Sequence, residues 1–173
     1  RLWVYTAKGK KEVSGGKMIK LIIAISYNKG VIDCEQYEKM SGEFFKSYIT
    51  RKFPALFKLA GKPHSKLWVQ DGDPCQNSYA AKTALSEIGA ELLSIPPQSP
   101  DINPIENLFH LVRREQDRQA LTGDITHETY DEFSSRVSQT FKTFPCECID
   151  NIIGSMDKRM NMIISRKGQR IKY

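Results

Sequence analysis

Asp71 and Glu106 are the two carboxylates whose sequence neighbours give them a place from which to do chemistry. Asp71 follows Lys66-Leu67-Trp68-Val69-Gln70, which reads as a short strand, and ligands of α/β sheets gather beyond the carboxyl ends of such strands. Glu106 follows Pro96-Pro97-Gln98-Ser99-Pro100-Asp101-Ile102-Asn103-Pro104, a stretch that holds four of the eight prolines and is stiff for that reason. Between the two carboxylates lie 34 residues, room for a helix, a strand and the proline loop. Brought together, an Asp and a Glu offer oxygen ligands to a hard divalent cation, and two such cations clamp the attacking and leaving oxygens of a phosphodiester. Plainer readings stand beside this one. Asp71-Gly72-Asp73-Pro74 has the composition of an ordinary turn. Glu106, three residues after Asn103, holds the N3 place of a helix cap, where the helix dipole favours an acid. From spacing alone the turn and the cap are the simpler readings.

Other chemistry-bearing patterns are weaker. The segment 7–17 is rich in Gly and Lys but does not meet the G-x₄-G-K-[ST] phosphate loop, since Met18 follows Gly16-Lys17. His127-Glu128 opens an H-E-x-x-H pattern, but Asp131 stands at the second histidine position. His110 and Arg113 share the Glu106 face at i+4 and i+7, as candidates for substrate phosphates or as a solvated face. Lys158, Arg159, Arg166, Lys167, Arg170 and Lys172 crowd the end of the chain, where Asp157 is the only acid from 157 onward. That crowding suits a DNA-backbone patch and equally a solubilising tail.

The whole chain of 173 residues carries a net charge of +6, which favours phosphate-bearing partners without demanding them. With 40% hydrophobic and 27% charged residues it has the composition of one globular domain, not of a disordered chain. The longest apolar run, Leu21–Ile25, is strand-sized, so no membrane span is expected. Cys34, Cys75, Cys146 and Cys148 lack zinc-site spacing and no signal-peptide pattern is present, so they read as reduced thiols of an intracellular protein.

The elements that must position these groups follow from periodicity. Strands are expected over 2–6 and 18–26 and again at 31–32, with 7–17 as a hairpin loop and Asn28-Lys29-Gly30 as a turn. Tyr37, Met40, Phe44 and Tyr48 suggest a helix over 36–52. A strand at 66–70, a helix at 78–88 and a strand at 90–95 imply a right-handed crossover and a parallel pair. Asn103 and Pro104 open a helix to about 118, with Ile105, Leu108, Phe109 and Val112 facing inward. Helices are expected over 126–142 and 147–164, the second with Met156, Met160 and Ile163 on its apolar stripe. The class is mixed α/β, an antiparallel edge on a sheet that ends parallel.

Trp68-Val69-Gln70-Asp71-Gly72-Asp73-Pro74-Cys75 resembles the second-aspartate motif of mariner-type transposases, and Ser99-Pro100-Asp101-Ile102-Asn103-Pro104-Ile105-Glu106-Asn107-Leu108-Phe109 resembles the third-carboxylate motif. Ser155-Met156-Asp157-Lys158-Arg159-Met160, Lys167-Gly168 and Tyr173 are similar to the family's ending, so the resemblance covers nearly the whole chain. It implies a ribonuclease H-like mixed sheet flanked by helices, with residues 1–122 as the catalytic core and 123–173 as the C-terminal helices and basic tail of the same domain. It implies Asp71 and Glu106 as the second and third catalytic carboxylates, both ligands of two divalent cations (magnesium or manganese). The implied reaction is cut-and-paste DNA transposition: hydrolytic nicking at element ends, then attack of a 3′-hydroxyl on target DNA. The implied partners are transposon ends and target DNA, with a homodimer compatible, no membrane, and residence in the nucleus. Asp101 and Asn103 would shape the loop and cap the helix. The family's first aspartate belongs to the first strand of the fold; Leu2–Thr6 matches the second, so that first strand is expected to be missing. Asp33 follows the third strand, the wrong sheet position to replace it. Gln76 stands where the family usually has His, and Asp73 where it has Asn, a spare acid near the metals. Without the first aspartate the chain alone is expected to be catalytically dead or nearly so. The rival reading is a decayed transposon-derived domain that only binds nucleic acid or protein.

Overall fold

A computed structural model of the chain describes residues 18–70, 72–96 and 99–171, together with the backbone of 2–6 and 9–13. β1 (Leu2–Thr6) pairs antiparallel with β2 (Gly9–Val13), Leu2 opposite Val13 and Thr6 opposite Gly9. Part of the loop expected over 7–17 is thus a strand; Gly9–Val13 carries no apolar alternation, so hydropathy gives no sign of it. β3 (Leu21–Ser26) and β4 (Gly30–Gln36) form a second hairpin, turned by Asn28 and Gly30 at φ 58° and 71°. Its register shifts at Ala24/Ile25, as a bulge does. β3 is apolar from Leu21 to Ile25 because both faces are covered. Ile22 and Ala24 enter one core, while Leu21, Ile23 and Ile25 pack against another.

The first core is aromatic. α1 (Gly42–Leu59) starts at Ser41, whose Oγ accepts the Phe44 N–H at 3.1 Å. It buries Phe45, Tyr48, Phe53 and Phe57, and the Phe53 ring lies 4.2 Å from Trp68. The expected span of 36–52 started too early and ended too soon. Tyr37 and Met40 pack on the same core from the incoming loop, which mimics another helical turn, and the helix continues through Pro54. β5 (Leu67–Gln70) and β6 (Glu91–Ser94) are the expected parallel pair, joined by α2 (Tyr79–Glu87), which buries Ala81, Ala84 and Leu85. Among the described residues the strands form three two-stranded ladders, not one mixed sheet. Pattern identifies strands; it does not say which edges meet.

The second core lies across the β3–β4 hairpin. A short 3₁₀ turn over Pro100–Ile102 leads into α3 (Pro104–Thr122), which buries Leu108 and Val112 beside partly buried Ile105 and Phe109. α4 (Tyr130–Lys142) starts four residues later than the expected 126, at a capping box of Thr129 and Glu132. The single helix expected over 147–164 is two: α5 (Cys146–Gly154) and α6 (Met156–Ser165). Ser155 breaks it by donating its hydroxyl to the Ile152 carbonyl at 2.6 Å. The inward position of α6 falls on Arg159, 2% exposed, and not on Met160, 51% exposed. No helix among the described residues is long and apolar enough to cross a membrane.

Candidate active site

Glu106 occupies the first turn of α3 with an exposed side chain. Two local bonds place it. Asn103 accepts the Ile105 N–H through Oδ1 at 3.3 Å, and the Asn103 carbonyl accepts the Glu106 N–H at 3.2 Å. Pro104 at the first helical position presets the backbone direction. The carboxylate therefore sits at the positive end of a 19-residue helix, where negative charge is favoured. It lines an open cleft of about 450 Å³ with Asp101, Asn107, His110 and the tail residues Arg170 and Ile171. The cap and the exposed carboxylate coexist: backbone atoms and Asn103 close the helix end, so Glu106 is not consumed by capping.

Asp71 lies outside the described residues. Its neighbours are well tied. Gln70 is 7% exposed, accepts the Trp68 indole N–H at 3.0 Å and donates to the Gln76 carbonyl at 3.1 Å. Asp73 serves the turn: its Oδ1 accepts the N–H groups of Cys75 at 2.7 Å and Gln76 at 3.2 Å. That oxygen of the spare acid is turned to its own backbone. Asp33, on β4, is held by the Tyr48 hydroxyl at 2.7 Å and Lys52 Nζ at 3.1 Å, against α1. Among the described residues no three His, Cys, Asp or Glu side chains converge as a metal cage.

The basic residues divide. Arg113, Lys158, Arg166, Lys167 and Arg170 are exposed, and Arg170 reaches the cleft. Arg159, expected in the DNA-facing patch, is instead buried under the loop. Its guanidinium donates to the Asp101 carbonyl at 3.1 Å and to Asn107 Oδ1 at 2.6 Å. Lys172 and Tyr173 lie outside the described residues. The tail returns to the Glu106 cleft, which its basic composition does not announce: the Ile171 N–H donates to Asp101 Oδ2 at 3.1 Å, and Ile171 itself is 6% exposed. One apolar residue in a basic tail was the available signal.

The family model of the DDE superfamily endonuclease matches residues 4–129. The Tcb2 transposase of Caenorhabditis briggsae is 32% identical over 104 residues, 60% of this chain and 36% of that protein. The Tc1 transposase of Caenorhabditis elegans is 31% identical over the same length, with the same coverage. The chain thus spans about a third of the length of these relatives. Among solved structures, the catalytic domain of Mos1 mariner transposase superposes with a TM-score of 0.65 at 17% identity, covering 89% of this chain and 82% of that one. The Mos1 paired-end complex with left transposon end gives 0.71 at 18% identity, covering 99% and 52%. The fold is ribonuclease H-like, and the proline-led motif that sets Glu106 at the head of α3 is explained by descent: the chain belongs to the DDE superfamily endonucleases, as a DDE domain of the mariner/Tc1 transposase type.

Proposed function

We propose that the chain supplies the metal-dependent DNA-cleaving and strand-transfer chemistry of a cut-and-paste transposase. The observation that carries this is Glu106: an exposed carboxylate, rigidly mounted at a helix N-terminus and facing an open cleft with basic residues on its rim. Its oxygens suit a hard cation, and Asp71, next in sequence after Gln70, is the second ligand in this reading. Magnesium or manganese ions held there would polarise the scissile phosphate and activate the attacking oxygen. Mos1 catalytic-domain structures with Mg and with Mn, bearing Raltegravir, support that class of metal, and the reading takes two ions. The chain's own residues bind and orient. Arg170 and His110 flank Glu106 where a phosphate would lie. Arg113, Lys158, Arg166 and Lys167 contact the DNA backbone farther out. Mos1 complexes with paired transposon ends support DNA as partner and a dimer as the working assembly. Nuclear residence follows from that substrate. Residues 1–122 form the core, and 123–173 belong to the same domain because Phe141, Ile149 and Ile152 share a core with Leu108 and Val112.

The test uses the full product of the gene, with element-end DNA and manganese. Asp71→Asn and Glu106→Gln should each lower nicking by at least about 10²-fold while DNA affinity changes little. Unchanged nicking by either variant removes that residue from the mechanism. DNA binding with no cleavage by the unaltered protein favours the decayed binding module.

A further inference from the structure

The Glu106 segment is held by groups that arrive from far along the chain. Arg159 of α6 is 2% exposed. Burying a guanidinium is costly unless its donors are met. Here Nε–H donates to Ser155 Oγ at 2.9 Å within its own region, and Nη1 donates to two acceptors near the site. These are the Asp101 carbonyl at 3.1 Å and Asn107 Oδ1 at 2.6 Å. Asp101 lies in the 3₁₀ turn before the Asn103 cap, and Asn107 directly follows Glu106. One planar group thus bridges the loop ahead of Glu106 and the helical turn that carries it. A second tie runs from the opposite direction, where Asp101 Oδ2 accepts the Ile171 N–H at 3.1 Å and sets the tail against the cleft.

We propose that Arg159 is a positioning residue for Glu106, clamping both flanks of its segment, and that the Asp101–Ile171 bond makes the tail a wall of the site. The catalytic part of this rests on Glu106 being a metal ligand; the clamp does not. An apolar side chain could fill the same space, and often serves stability as well. The guanidinium plane explains the arginine, because Nε holds Ser155 while Nη1 serves both acceptors, whereas a lysine has one nitrogen for all three. Placement is what such a clamp controls, and errors near 1 Å in a reacting group cost about 10²-fold in rate.

The test compares Arg159→Met, Arg159→Lys and Asn107→Ala in the full product of the gene; Asn107→Ala opens one arm of the clamp without emptying the buried site, should Arg159→Met fold poorly. Hydrogen exchange should quicken at the amides of Ile105, Glu106 and Ile171, by about tenfold or more in Arg159→Met, with α1 unchanged. Manganese-dependent kcat for nicking should fall about 10–10²-fold with DNA affinity held, and Arg159→Lys should fall between Met and the parent. Unchanged exchange in both Arg159→Met and Asn107→Ala overturns the clamp. Weakened DNA affinity at parental kcat overturns it too, and returns Arg159 to phosphate binding. Quickened exchange, with Glu106→Gln still nicking at the parental rate, supports the clamp and overturns the metal-ligand reading instead.

Discussion

Tyr48 carries a hydroxyl into the aromatic core of α1 at 0% exposure, and the group is tolerated because Asp33 accepts its proton at 2.7 Å. Burial first, then that bond, push the phenol well above its ordinary range. Lys52 bridges Asp33 and Glu35, and Arg51 grips Glu35 with two nitrogens, so a small charge network ties β4 to α1. The Arg51 hydrogen bond leads the causes that hold the Glu35 carboxyl below its usual value. A depressed folded-state value stabilises the fold above the carboxylate range, and the contribution is lost as pH falls through the folded value. Arg51 is half exposed, which limits the gain. Glu35→Gln should therefore cost about 0.5–1 kcal/mol at neutral pH. The difference should shrink below about pH 5 and vanish once the pH is under the depressed value. Urea unfolding of both proteins at neutral and acid pH checks this; a pH-independent difference would assign the loss to packing. This network was not legible in the sequence, where Asp33 was only an aspartate in the wrong place for catalysis.

At the scale of elements, caps decide where helices begin, and one of them sets how two helices meet. Ser78 caps α2 by accepting the Ala81 N–H at 3.2 Å. Gly42, the first residue of α1, lies so close that a Cβ added there would fall 2.6 Å from Ser78 Oγ and 2.9 Å from its Cβ. Gly42→Ala should therefore force Ser78 off its cap and part the two helix starts, costing about 1–3 kcal/mol in chemical denaturation. Unaltered stability would show that the α1–α2 contact is loose. Asn103, Pro104 and the α3 stripe were legible because cap, proline and periodicity all lie within the segment they describe. The split between α5 and α6 was not, because the apolar stripe runs across Ser155 without interruption. Nor was the choice between Arg159 and Met160 as the inward residue, because both fit the same helical stripe and only the acceptors above it favour the arginine.

Among the described residues, the β3–β4 hairpin separates a strongly aromatic core under α1 and α2 from a more aliphatic one under α3, α4 and α5, where Phe141 is the buried ring. The basic tail leaves α6 and returns to the Glu106 cleft through Ile171. The tail, with Arg166, Lys167 and Arg170 exposed and Arg170 lining that cleft, should bind DNA through released counterions. Reversing all three charges should weaken affinity and flatten the slope of log K against log salt by about 0.9 for each phosphate no longer neutralised. Binding measured at several salt concentrations checks it. An unchanged slope would reduce the tail to a solubilising and structural role, leaving the Ile171 anchor in place.

The sequence by itself determined what is local: the strand before Asp71, the rigid lead into α3, the cap behind Glu106 and the motif letters that mark a DDE domain. Such features are written in neighbouring residues because backbone dihedral limits and capping bonds act over a few positions. Only the tertiary structure decided which cation is buried and which faces solvent, and that residues 101, 107, 159 and 171 meet. Lys158 and Arg159 are adjacent and alike in charge. A carbonyl 58 residues away and the Asn107 side chain hold one under the loop ahead of Glu106, while the other faces water.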